Sequence, residues 1–223
     1  FGFLPKNIKR IIKKIEKHYH VRVLINDLTL DSKIPVVSVL LQSDTPPYFT
    51  FGSAANFSIK RAIIKALQES VLKRYELRNS RNQSLKQRNF SCIQNLYHHS
   101  EFYAENNVYE AFKFLYESPF LSKKKWNRYE NISNKIKTTR QKVNYLKSYC
   151  KKLKTDIYFI DLTSKELKHY KLHIVRVIIP GLLPLNSEYN ARYLGCERLY
   201  SIPVQLGLKK PNEKSFHKFP HPL

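Results

Sequence analysis

One carboxylate in this chain stands out by its company. Over residues 59–78, Ile59, Ile63, Leu67 and Val71 recur at helical spacing, and Ala62, Ala66 and Glu69 fall within about 60° of one another on the flank of that stripe. A carboxylate beside two alanines can be approached closely by backbone or by a ligand. Arg74 lands inside the apolar stripe, where a guanidinium needs a partner. On periodicity alone, Glu69 and Arg74 read more simply as an ordinary helix-surface arrangement. Other reactive residue types are scattered. There is no Walker loop, dinucleotide glycine fingerprint, HExxH or nucleophile elbow, and 5 glycines are too few for a glycine-rich phosphate cradle. His18 with His20, His98 with His99, and His169 with His173 each lack a third ligand nearby, so no metal chelate is expected from them. Cys92, Cys150 and Cys196 are odd in number and far apart, which excludes a CxxC clamp and argues against a disulfide framework.

The elements that must position these residues follow from hydrophobic period and turn chemistry. Ile8, Ile11, Ile12 and Ile15 against a lysine-rich opposite face predict a helix over 6–19. Strands follow at 21–25 and at 34–41, the second so continuously apolar that both its faces should be covered. Tyr48–Phe51 reads as a third strand and Gly52-Ser53-Ala54-Ala55 as a turn, with Ser58 the N-cap of the 59–78 helix. Residues 79–107 read as a loop or insertion. Helices are expected at 108–116 and 133–154, a strand at 156–161, a short helix at 164–169 and a strand at 173–179. The remainder is turn-rich, without a period that would pack as an element, and no internal repeat is visible. The alternation indicates α/β or mixed α+β architecture, a mixed sheet with flanking helices.

Composition bounds the function classes. The chain has 223 residues, 42% of them hydrophobic, too many for a disordered basic tail. The longest uncharged apolar run, Ile34 to Ser43, is about half of what a bilayer span needs, so no membrane role is expected and a reducing cytoplasm is the default. The net charge of +23 would attract polyanions. Its basic residues are spread along the whole length, which favours a solvated surface over a nucleic-acid stripe. The absence of Met is read as the sign of a missing N-terminal part.

Several segments together carry a resemblance. Asp27-Leu28-Thr29-Leu30-Asp31-Ser32-Lys33-Ile34-Pro35-Val36-Val37 is similar to the "DLTxDxGIPVV" stretch of the YcaO family, with Lys33 where that family usually has Gly. Gly52-Ser53-Ala54-Ala55 with Ala62, Ala66 and Glu69 resembles the family's alanine-rich helix motif. Asp161-Leu162-Thr163 and Val175 to Leu185 resemble its "VxRVIVPGLxPL" strand and turn, and Leu194 to Pro203 its "LGxxRLYxVP" segment. Pro220-His221-Pro222 resembles the proline-rich C-terminus of the azoline-forming, streptolysin-type branch.

This resemblance implies a YcaO-type fold, of which residues 1–223 would be the C-terminal part of one domain, with 79–107 a loop or insertion and 211–223 a proline-containing tail. It implies an enzyme that uses ATP and Mg2+ to activate a backbone amide oxygen, so that a Cys, Ser or Thr side chain closes a thiazoline or oxazoline. Glu69 would be a magnesium and nucleotide ligand, Arg74 and Arg176 nucleotide contacts, and Pro220 and Pro222 part of a tail reaching the catalytic centre. Leu72 stands where the motif has Gln. The implied partners are a ribosomal precursor peptide, an E1-like leader-binding protein and a flavin-dependent azoline dehydrogenase, with no nucleic acid and no membrane. A thioamide-forming YcaO, or an inactive module binding peptide or nucleic acid, remain the alternative readings.

Overall fold

A computed structural model describes residues 2–79, 90–117 and 122–222. It divides into two compact units: one of residues 1–136, 186–192 and 213–223, the other of 137–185 and 193–212.

The first unit is built on a three-stranded antiparallel sheet in the order β1 (Arg22–Asp27), β2 (Val36–Gln42), β3 (Phe49–Ala55). Short connections between consecutive strands leave no room for a crossover, so the pairing is antiparallel. The central strand β2 is buried from Val37 to Leu41, as its apolar run predicts. Val37, Val39 and Leu41 face helices α1 (Lys6–Tyr19), α2 (Ile59–Asn79) and α5 (Lys123–Lys135), joining Ile8, Ile12, Ile63 and Leu67 in one core. On the other face Leu40, with Phe49 of β3, meets Phe102, Tyr103 and Phe112, supplied by α3 (Leu96–Glu105) and the turn before α4 (Lys113–Glu117). One sheet between two helical layers therefore holds the unit together.

The structure corrects several readings. Residues 52–55 are not a turn: β3 runs through them to Ala55. Part of the expected 79–107 loop is helix α3, capped by the Asn95 side chain accepting from His98 N–H; residues 80–89 lie outside the described residues. The helix expected at 133–154 is α6 (Thr139–Lys152), started by a capping box of Thr138 and Gln141, while residues 133–135 end the separate helix α5. The turn-rich end contains α8 (Arg198–Gln205), which keeps Pro203 inside it.

The second unit holds α6, β4 (Tyr158–Asp161), α7 (Lys165–His169), β5 (Val175–Ile178) and α8. β4 and β5 pair antiparallel, and every residue of both is exposed. All described pairings are antiparallel, where a mixed sheet was expected. Only Cys150 and Ile202 are buried among the unit's described residues. Phe159 (73% exposed) and Val177 (55%) lie on one face of the ribbon, Tyr158 (55%) and Ile178 (46%) on the other. A two-stranded ribbon with both apolar faces in water is marginal by itself.

A local repeat links the two sheets. After β1, Thr29 N–H donates to Asp27 Oδ1 (3.1 Å), Leu28 N–H to Val36 O (2.9 Å), and Val36 N–H to Thr29 Oγ1 (3.0 Å). After β4, Thr163 N–H donates to Asp161 Oδ1 (2.9 Å), Leu162 N–H to Ile174 O (2.9 Å), and Ile174 N–H to Thr163 Oγ1 (2.9 Å). Each Asp-Leu-Thr ends its strand in the same Asx turn, and its threonine ties the start of the partner strand. The sequence reading found no repeat, because three residues of identity are too few to register without the shared hydrogen bonds.

Candidate functional site

The site grows from one close approach. At Gly52, in the middle of β3, a Cβ would lie 2.5 Å from Ala66 O, 2.5 Å from Ser70 N and 3.0 Å from Glu69 Cβ. Only a glycine lets the strand lie this close to the helix backbone. Ala62 and Ala66, both fully buried, present no side-chain bulk on the helix side. The contact brings Ser53 N–H to Glu69 Oε2 at 2.8 Å. Glu69 Oε1 lies 3.6 Å from Lys73 Nζ, one turn further on, and the carboxylate side chain keeps 38% exposure. The result is a carboxylate with one oxygen fixed by backbone and the other facing a lysine at the surface.

Arg74 goes elsewhere. It is 3% exposed, and its Nη1 donates to Pro47 O at 2.6 Å, so the partner that the apolar stripe demanded is the β2–β3 connection. Burial, with Arg78 nearby, lowers its pKa to about 10. The structure thus joins Glu69 to Ser53 and Lys73, and Arg74 to Pro47. Leu72 is 57% exposed on the same helix. Arg176 lies on β5 in the second unit, exposed, opposite Ile160.

The tail residues belong to the first unit. Pro220 is buried, and its carbonyl accepts from Tyr103 Oη at 2.5 Å. Pro222 lines a crevice with Thr50, Lys73, Leu77 and Ser100. The tail therefore shares a crevice with Lys73, the residue paired with Glu69. Lys73 and Tyr103 escaped sequence reasoning, and His99 was weighed there only with His98 as a metal pair. His99 and Tyr103 are four residues apart on α3, a spacing that signals a shared face only once the segment is recognised as helix. Glu101 on the same helix is 1% exposed with neither carboxylate oxygen hydrogen-bonded, and burial raises its pKa. A hollow of about 380 Å³ between α1 and α2 contains neither Glu69, Arg74 nor the tail prolines.

A family model described as YcaO cyclodehydratase, ATP- and Mg2+-binding, matches residues 4–183. The chain belongs to the YcaO family. Among solved structures, a heterocyclase in complex with substrate and cofactor superposes with a TM-score of 0.68 at 17% identity, covering 99% of this chain and 27% of the heterocyclase. The heterocyclase TruD gives 0.55 at 18% identity, covering 99% and 28%. At these identities the likeness is one of fold, and it bears out the mixed α/β class. The chain spans little more than a quarter of the length of these heterocyclases. No sequence among the curated proteins matches it.

ATP and Mg2+ are the cofactors by which this family is described. Magnesium at a nucleotide takes one or two carboxylates, with phosphate and water oxygens completing the octahedron. Glu69, held by Ser53 and beside Lys73, fits as one such carboxylate with a cation next to it for phosphate. No group of three or more His, Cys, Asp or Glu side chains gathers among the described residues. No helix is long and apolar enough to cross a membrane among the described residues.

Proposed function

We propose that this chain is part of an ATP-dependent azoline-forming cyclodehydratase acting on a ribosomal precursor peptide, and that Glu69 is its magnesium–nucleotide ligand. The observation that carries the reading is the Gly52 approach, which fixes a surface carboxylate by a backbone N–H at the position the family motif marks. The bound nucleotide supplies a phosphoryl group that turns the amide oxygen into a leaving group. Lys73 stands by the carboxylate as a cation for phosphate charge. Arg74 acts through the fold, holding the Pro47 carbonyl in the β2–β3 connection. Arg176, exposed on β5, remains a candidate phosphate contact on the second unit.

The substrate is a peptide whose Cys, Ser or Thr attacks the preceding amide; the ring closes as the peptide loses the elements of water, that oxygen leaving in phosphate. The exposed apolar faces of the β4–β5 ribbon support a protein that works within an assembly, which would supply the other metal ligands. An E1-like leader-binding protein and a flavin-dependent azoline dehydrogenase are the expected partners. The test is precursor peptide labelled with oxygen-18 at the amides preceding its Cys, Ser and Thr residues, incubated with ATP and the protein in its natural assembly. Labelled phosphate, with dehydrated peptide, is expected. Dehydration with unlabelled phosphate would overturn the proposed chemistry.

A further inference from the structure

A proline-rich tail cannot be recognised as a strand usually is. Pro220 and Pro222 have no N–H to give, so at these two positions the tail can be held only through carbonyls and apolar surface. The first unit offers a row of donors to those carbonyls. Arg192 Nη1 lies 3.3 Å from His217 O, and Tyr189 Oη donates to Lys218 O at 2.7 Å. Tyr103 Oη donates to Pro220 O at 2.5 Å. His99 Nδ1 lies 3.0 Å from His221 O, and the tautomer protonated there donates to it. The Phe219 ring stands 5.9 Å from Phe90, and the His221 ring stacks on His99 with centroids 3.8 Å apart. His221 Nε2 is 2.6 Å from Asn186 O, which closes the other side of the slot.

We propose that His99 and Tyr103 are positioning residues: one turn apart on α3, they grip the carbonyls of His221 and Pro220 and so set Pro222 in the crevice that Lys73, the neighbour of Glu69, also lines. This rests on the reading of the chain as a YcaO cyclodehydratase whose tail belongs to the catalytic centre. The grip explains why two aromatic side chains with polar tips are fully buried on α3. Tyr103 Oη points at the one hydrogen-bonding backbone group that Pro220 presents, its carbonyl. The grip also accounts for the stack, since the flat His221 ring covers His99, whose single proton in the neutral ring, carried on Nδ1, goes to His221 O.

The experiment uses the full chain. Carboxypeptidase digestion followed by mass spectrometry measures how fast the end is trimmed past Pro222 and His221, with Trp126 fluorescence confirming the fold. Tyr103→Phe removes only the hydroxyl, and His99→Phe keeps a ring for the stack. Each is expected to quicken trimming at least tenfold, and trimming as slow as in the unmodified chain would overturn the grip. If either variant fails to fold, His221→Ala loosens the same contact from the tail side and is expected to give the same acceleration. Peptide turnover by the protein with its natural partners then tests positioning. Tyr103→Phe is expected to lower kcat about tenfold with the peptide KM unchanged, and removal of Pro222 and Leu223 to give the same loss with no further effect in Tyr103→Phe. Faster trimming with unchanged kcat would overturn the positioning role while the cyclodehydratase reading stands. Absence of turnover in the unmodified protein would sink that reading, and the trimming result would still decide the grip.

Discussion

Gly52→Ala perturbs the structure at the point where the site is made. The added methyl would meet two backbone atoms of α2 at 2.5 Å, against ordinary contacts of 3.4–4 Å. Neither atom belongs to a flexible side chain, so strand and helix must separate by about 1 Å to restore van der Waals distance. That separation stretches the Ser53–Glu69 hydrogen bond, now 2.8 Å, past the range in which it counts as one. Overpacking of this kind costs about 1–3 kcal/mol, and losing a hydrogen bond to a charged acceptor roughly 1.5–3 kcal/mol. Because the separation partly relieves the overlap, the expected total is about 3 kcal/mol. Urea denaturation followed through Trp126, the only tryptophan and a member of the first unit's core, reads this directly. With a slope of about 2 kcal/mol/M the midpoint should fall by about 1.5 M. Gly2→Ala, where a Cβ meets nothing within 4 Å, is the control. A Gly52→Ala midpoint within error of that control would refute the claim that the strand–helix approach requires a glycine.

Asp27 is the acidic end of the first Asp-Leu-Thr turn. Burial alone would raise its pKa, but hydrogen bonds from Thr29, Lys125 and Tyr129 outweigh that and hold it below the usual range. Its stabilisation is present above the unfolded pKa and lost as pH falls through the folded one. Asp27→Asn should therefore cost about 2 kcal/mol near neutrality, a gap that narrows below about pH 4 in the same urea assay. His99 carries the second prediction. Burial, then the neighbouring His221, lower its pKa from 6.5 to about 4. The unfolded chain takes up that proton first, so stability falls on acidification between these values, by up to about 3 kcal/mol at 1.36 kcal/mol per pH unit. His99→Phe should flatten the stability profile over that window; an unchanged slope would contradict the assignment.

Legibility followed the strength of the period. The helix at 6–19 and the doubly buried strand at 34–41 were readable because isoleucines and valines repeat without interruption. The α2 stripe even showed that Arg74 needed a partner, though only the fold names Pro47. Gly-Ser-Ala-Ala read as a turn because small residues signal turns. Here they are a strand shaved down so that α2 can lie on it, and that demand comes from tertiary packing. Helix α3 was hidden by its composition: Tyr97, His98, His99, Ser100 and Glu101 look solvent-facing, yet His99 and Glu101 are buried. With the helix unseen, the spacing of His99 and Tyr103 had no meaning, and the grip on the tail could not be inferred. Lys73 was passed over because one lysine among 40 basic residues carries no signal until its 3.6 Å distance to Glu69 is known.

The most direct test is ATP-dependent dehydration of the precursor peptide by the protein in its natural assembly, with Glu69 intact and as Glu69→Gln. The substitution keeps the Ser53 hydrogen bond in reach but removes the charge that a magnesium ion needs. Dehydration with Glu69 intact, falling at least a hundredfold in Glu69→Gln with Mg2+ in excess, is the expected result. Dehydration at an undiminished rate in Glu69→Gln would contradict the assignment of Glu69 as the metal–nucleotide ligand.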